Sequence, residues 1–216
     1  IKIYTTAAAR HSGKWDTGKY RLEVTNNNGI RNYENFVRID GVQIQLINSS
    51  YNGIGIEIPS SALSDTSADI RITNNIIRAT LSSTAYSYGI SIYDANTVNK
   101  EFRVKNNIVY DFVNGTQPCR SIYIGGAAVV KAYVYNNTAY NSYNGYFQEN
   151  SAVFVAKNNI YQSNGITGAD GFINSFEASS NYNLSNLASD APGANSNNST
   201  TVSFVDAVNK DFRLAA

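Results

Sequence analysis

Cysteine, histidine and tryptophan each occur once in this 216-residue chain, methionine not at all, and proline three times. A lone Cys119 excludes an internal disulfide framework. With His11 as the only imidazole, there is no ligand set for zinc or haem and no Cys–His catalytic pair. Cys119 reads instead as a small buried side chain. Charge is scarce too: Asp, Glu, Lys and Arg make up 15% of residues, against about 25% in ordinary soluble domains. The formal net charge of +1 gives no pull toward nucleic acid or an anionic membrane surface. No apolar run approaches the ~18 residues of a membrane span. No signal peptide is visible, and a chain opening on Ile1 reads as a processed or excised piece of a longer precursor.

What is present is 43% hydrophobic residues, sixteen tyrosines and much Asn, Ser and Thr, a composition that favours strands. Its organising feature is self-similarity. VRIDGVQIQLIN (37–48), IRITNNIIRAT (70–80), FRVKNNIVYDF (102–112), AYVYNNTAYNS (132–142) and VAKNNIYQS (155–163) align, with a weaker SSNYNLSN at 179–186. The second Asn of each pair gives Asn75, Asn107, Asn137, Asn159 and then Asn181, spaced 32, 30, 22 and 22 residues apart, with Gly41 taken as the equivalent before Asn75. A second set of short strands opens on Gly53, Gly89, Ser121, Gly145 and Gly171.

Alternation such as Arg71 out, Ile72 in, Thr73 out buries one face of each strand. One such unit cannot bury that face alone, whereas stacked units form a continuous core. Stacking at about 4.8 Å places equivalent residues over one another, so the recurring Asn is expected to form a hydrogen-bonded ladder at a tight corner. The predicted fold is all-β: a single-stranded right-handed parallel β-helix of about six or seven coils. The whole of 1–216 reads as one domain, with 1–36 an irregular first coil or lid, 37–186 the regular coils, and 187–216 a polar surface loop and closing strand. The strand Asp211–Leu214 is expected to return over the last coil, and Trp15 to pack as a lid on the first.

These Asn-Asn-Ile coils resemble the right-handed parallel β-helix (pectate-lyase-like) superfamily over 37–186. FVDAVNKDFRLAA at 204–216 and RHSGKWDTGKYRLEV at 10–24 are similar to the closing and opening segments of secreted bacterial β-helix repeat proteins. The resemblance implies a secreted or cell-surface protein and, for its enzymes, acidic polysaccharide substrates, with Ca²⁺ only under a lyase reading.

The residues themselves supply no evident catalytic centre. A glycoside hydrolase needs two carboxyls about 5–9.5 Å apart. Glu57, Asp94 and Glu149 suggest a column that Gly125 interrupts, Asp40 stands alone on its face, and Asp65, Asp69 and Asp111 read as corner or loop residues. A strip of Arg71, Arg103 and Tyr133 beside Thr73, Lys105, Tyr135 and Lys157, with Tyr110 at its far end, is the candidate carbohydrate-binding surface. Among the Asn-x-Ser/Thr sequons, Asn114, Asn197 and Asn198 lie in loops and are the glycosylation candidates. Three functions stay open: an extracellular structural or adhesive module whose copies stack end to end, a polysaccharide-active enzyme (a lyase before a hydrolase), and a non-catalytic polysaccharide-binding domain.

Overall fold

The computed structural model describes residues 1–48, 52–59, 63, 65, 67–82, 84, 86–94, 100–114, 118–126 and 130–215. Among them every helix is absent and the strands fall in rotation into three parallel sheets. Sheet A takes Lys2–Tyr4, Phe36–Asp40, Asp69–Thr73, Lys100–Lys105, Val130–Tyr135 and Val153–Lys157. Sheet B takes Leu22–Thr25, Gln43–Asn48, Ile76–Leu81, Ile108–Tyr110, Thr138–Tyr140, Ile160–Gln162 and Leu184–Ser185. Sheet C takes Ile30–Arg31, Ile54–Ile58, Tyr88–Asp94, Arg120–Gly126, Asn144–Gln148 and Asp170–Ile173. Each A–B–C triplet makes one rung, and each strand pairs in register with its counterpart on the next rung. The arrangement is consistent with the parallel β-helix that the repeat predicts. Residues 2–31 already supply a complete first rung.

The core follows from the alternation. Ile39, Ile72, Val104, Val134 and Ala156 from sheet A meet Ile44, Ile77, Val109, Ala139 and Tyr161 from sheet B and Ile56, Ile90, Ile122, Tyr146 and Phe172 from sheet C, nearly all fully buried. As Ile gives way to Ala along sheets A and B, Tyr and Phe take up the volume from the facing sheets, which keeps the packing dense. The Tyr146 hydroxyl donates to the Asn137 carbonyl at 2.9 Å, and that of Tyr161 to the Ser142 carbonyl at 2.8 Å, so neither buried phenol is orphaned.

At the corner from sheet A to sheet B the two asparagines of each pair do different work. The first turns the chain: Asn74, Asn106, Asn136 and Asn158 have φ of 56°, 57°, 57° and 54°, a left-handed region that Asn tolerates. The second points inward. Asn75 donates from Nδ2 to Oδ1 of Asn107, which repeats the contact to Asn137, Asn137 to Asn159, and Asn159 to Asn183, all at 2.9–3.1 Å. Each Oδ1 also accepts the backbone N–H of the preceding rung, and each Nδ2 reaches a core-strand carbonyl such as Ile72 O. A second, outer row runs the opposite way, from Asn136 to Asn106 to Asn74 and on to the Asp40 carboxylate.

Two expected equivalences are corrected here. Asp40 pairs with Thr73, which puts Gly41 (φ 73°) level with Asn74 and Val42 level with Asn75. The last member of the inner ladder is Asn183, not Asn181, because Tyr182 takes the left-handed position (φ 57°).

The ends also differ from expectation. Asp211–Leu214 does not cover the last rung. It forms an antiparallel hairpin with Phe204–Asp206 that lies on the outer face of sheet B, where Phe212 packs on Tyr110 and Tyr140 with ring centroids 4.9 and 4.7 Å apart. Trp15 joins that same outer cluster under the Arg78 guanidinium, 4.2 Å from the ring centroid, rather than lidding the first rung. The last rung is covered by the polar stretch after Ser185. Asn197 extends sheet B by pairing with Leu184, Asp190 accepts the backbone N–H groups of Gly171 and Phe172, and Ala191 enters the core. Its polarity suits that place, since an edge of unpaired backbone donors needs acceptors.

A tyrosine-lined cleft as the candidate functional site

The strip read from the sequence exists. Arg38, Arg71, Arg103 and Tyr133 are in register on the outer face of sheet A, beside Asp40, Thr73, Lys105, Tyr135 and Lys157. Its charge is spent internally. Asp69 is a strand residue, not a corner one, and Arg38, Arg71 and Arg103 converge on its carboxylate at 2.9, 2.9 and 2.6 Å, with Glu101 also bound to Arg103. Burial would raise the Asp69 pKa, but the Arg71 hydrogen bonds and the Arg103 and Arg38 charges outweigh it and hold the carboxyl below its ordinary value. Tyr133 and Tyr135 meet edge to face at 5.9 Å, with Lys131 and Lys105 over their rings. Nor is Asp40 alone, since it forms an ion pair with Arg10 at 2.8 Å and accepts hydrogen bonds from Thr73 and Asn74. Tyr110 is not part of the strip. It lies in sheet B, fully buried beneath Phe212, and burial pushes its phenol up to about 12.

Sheet C carries a different surface. Its register runs Arg31, Glu57, Ser91, Tyr123, Phe147 and Ile173 across the six rungs. The reason is a column of small residues at the B–C corner, Gly29, Gly55, Gly89, Ser121, Gly145 and Gly171. A Cβ on Gly55 would stand 2.6 Å from the Gly89 carbonyl oxygen, and one on Gly89 2.6 Å from that of Ser121. The true opener of the second strand is therefore Gly55 rather than Gly53, which dissolves the expected Glu57–Asp94–Gly125–Glu149 column. Glu57 is level with Ser91, and Tyr93 with Gly125. The Asp94 side chain lies outside the described residues.

Where the column passes from Tyr123 to the small Ser91, a cleft of about 380 Å³ opens, lined by Arg31, Glu57, Tyr88, Ser91, Tyr93 and Tyr123 together with Ile58 and Pro59. The tyrosine rings are nearly parallel: Tyr88 lies 5.3 Å and 17° from Tyr123, and Tyr93 6.3 Å and 9° from it. Arg120 backs this aromatic group from the side of Phe147, 3.7 Å from that ring's centroid. The Tyr123 hydroxyl donates to Glu149, and burial, then that carboxylate, push its phenol well up. Glu57 is held on one oxygen by Arg31 Nε and Asn28 Nδ2, both at 2.7 Å.

Among the described residues the cleft brings a carboxylate, a guanidinium and tyrosine hydroxyls together, and its lining holds one carboxylate, Glu57. The backbones of Glu57 and Glu149 are three rungs apart, about 14 Å at sheet spacing, wider than the carboxyl spacing of a glycosidase pair. Among the described residues no group of three His, Cys, Asp or Glu side chains could hold a metal ion. Of the glycosylation candidates, Asn197 is exposed, while Asn114 and Asn198 are half-buried and the Asn198 Oδ1 accepts the Ala191 N–H. In comparisons with known proteins, no family model, no curated protein and no solved structure matches this chain.

Proposed function

We propose that the three sheets close into one right-handed single-stranded parallel β-helix, and that this solenoid serves outside the cell as a rigid module that binds a glycan without cleaving it. The cleft of sheet C carries the reading. Tyr88, Tyr93 and Tyr123 offer aromatic surface beside a carboxylate, a guanidinium and a hydroxyl, a combination of apolar walls and few polar groups that suits sugar rings. The three-rung backbone separation of Glu57 and Glu149 speaks against hydrolysis by that pair. An end-to-end fibre needs a free edge at both ends, and the stretch 187–200 lies over the last rung, which favours the binding reading over stacking of copies.

The test is retention on a panel of immobilised polysaccharides, with the supernatant assayed for new reducing ends and for unsaturated products absorbing in the ultraviolet. Retention without product is expected, weakened about tenfold or more by Tyr93→Ala, a loss of roughly 1.4 kcal/mol, and unchanged by the double change Arg71→Ala and Arg103→Ala. Product release, or retention that depends on the two arginines and not on Tyr93, would overturn it.

A further inference from the structure

We infer that the cleft selects an uncharged sugar ring, with Glu57 and Arg31 reading two adjacent hydroxyls; the inference rests on the glycan reading above.

The first observation is the balance of charge. Among the described residues, Arg31 and Glu57 are the ionic groups lining the cleft, and they are paired with each other at 2.7 Å. A ligand carboxylate approaching Arg31 meets Glu57, and a ligand ammonium approaching Glu57 meets Arg31, so each charged ligand is opposed by one member of the pair. An uncharged ligand meets no such opposition.

The second observation is the unused bonding capacity. Glu57 Oε2 is occupied by Arg31 Nε and Asn28, but Oε1 has only a 3.5 Å contact to Arg31 Nη2. The Arg31 side chain is 51% exposed, leaving its outer guanidinium donors toward solvent. One free acceptor therefore stands beside free donors, which matches a pair of neighbouring hydroxyls, one donating to Oε1 and the next accepting from Nη. The Glu57 side chain is only 12% exposed, so such a bond would be made with little competing water.

The third is shape. The aromatic row Phe147–Tyr123 stops at Ser91, and the near-parallel Tyr88 and Tyr93 remain at the opening. A sugar ring seated over Ser91 prolongs that row, its weakly positive C–H face against an electron-rich ring. At about 380 Å³ the cleft is near the small end of ligand sites, suited to a short saccharide or the end of a chain.

The experiment measures binding by the full chain of neutral gluco-, xylo-, manno- and galacto-oligosaccharides, of oligouronates, and of glucosamine oligomers, at 50 and 500 mM NaCl. At least one neutral series should bind, with affinity changing less than twofold between the two salts. Glu57→Gln should weaken it about tenfold, as should Arg31→Ala, with each variant's fold checked by its urea unfolding midpoint. Tighter binding of uronates or glucosamine oligomers, falling steeply with salt, would overturn this inference and leave the glycan reading standing. Neutral binding that both variants retain would also overturn it. Binding of no saccharide at all would overturn both.

Discussion

At the scale of single residues, the two asparagines of each pair carry different loads. The Asn107 side chain makes four buried bonds, with Asn75 N, Asn75 Nδ2, Ile72 O and Asn137 Oδ1, and its neighbour Asn106 holds a left-handed turn at the surface. Asn107→Ala should therefore cost about 3–5 kcal/mol in urea unfolding, since it leaves several buried groups unsatisfied. Asn106→Ala should cost about 1 kcal/mol, and Asn106→Gly less than half of that. The same two residues show why register was only partly legible in the sequence. A slip of one residue exchanges the two faces of a strand and is visible, whereas a slip of two preserves the alternation. Both Gly53 for Gly55 and Asn181 for Asn183 are slips of two, and Gly41 for Val42 is a slip of one at a corner, where no alternation marks the face; only the pairing across rungs exposes them. Asp69 was missed as the centre of the arginine strip because its partner Arg38 stands on another rung, far away in sequence. With its pKa held down in the folded chain, Asp69 contributes stability above the unfolded carboxyl value that is lost as pH falls through the folded one. Asp69→Asn should lower stability at pH 7 by about 1–2 kcal/mol and flatten the acid limb of the stability–pH curve.

Among the elements, the terminal hairpin and the segment 10–20 together turn the outer face of sheet B into a second small core. Tyr110, Tyr140, Ile76 and Phe212 form its centre, and a Lys210–Asp111 ion pair at 3.0 Å ties its edge. Phe212→Ala should destabilise this layer by about 3 kcal/mol and speed amide exchange in 204–215 while leaving the inner Asn ladder protected. His11 supplies a pH dependence to the other flap. Its Nδ1 accepts the Gly13 N–H, so Nε2 carries the proton donated to Asn74 O, and the ring is neutral in the docked state. Burial lowers its pKa below the ordinary 6.5, outweighing the bond to the Asn74 carbonyl, with Arg10 adding to the drop and Asp40 opposing it. The free segment thus binds the proton more readily. Docking should hold above pH 6.5 and weaken as the pH falls below it, read as faster proteolysis within 10–20 at pH 5 than at pH 7.5. The destination of these flaps was hidden from the sequence because nothing in a short apolar strand says which sheet it will cover.

For the molecule as a whole, the three faces of the stack have separate fates: sheet A is laced by its own ion pairs, sheet B is covered by both terminal segments, and sheet C keeps an open cleft. The repeat alone reveals the stack, because Asn-Asn-apolar recurrence has one economical explanation. The cleft is not visible at that level. It depends on Ser91 interrupting an aromatic column, a gap that exists only once Tyr123, Ser91 and Glu57 are known to be neighbours.

The outer amide row has its own long reach. Each Nδ2 in it points toward the first rung and the row terminates on the Asp40 carboxylate, so one negative charge orients three successive dipoles. Neutralising that charge would loosen turns that Asp40 never touches, and the corner at Asn136 would register an event three strands away.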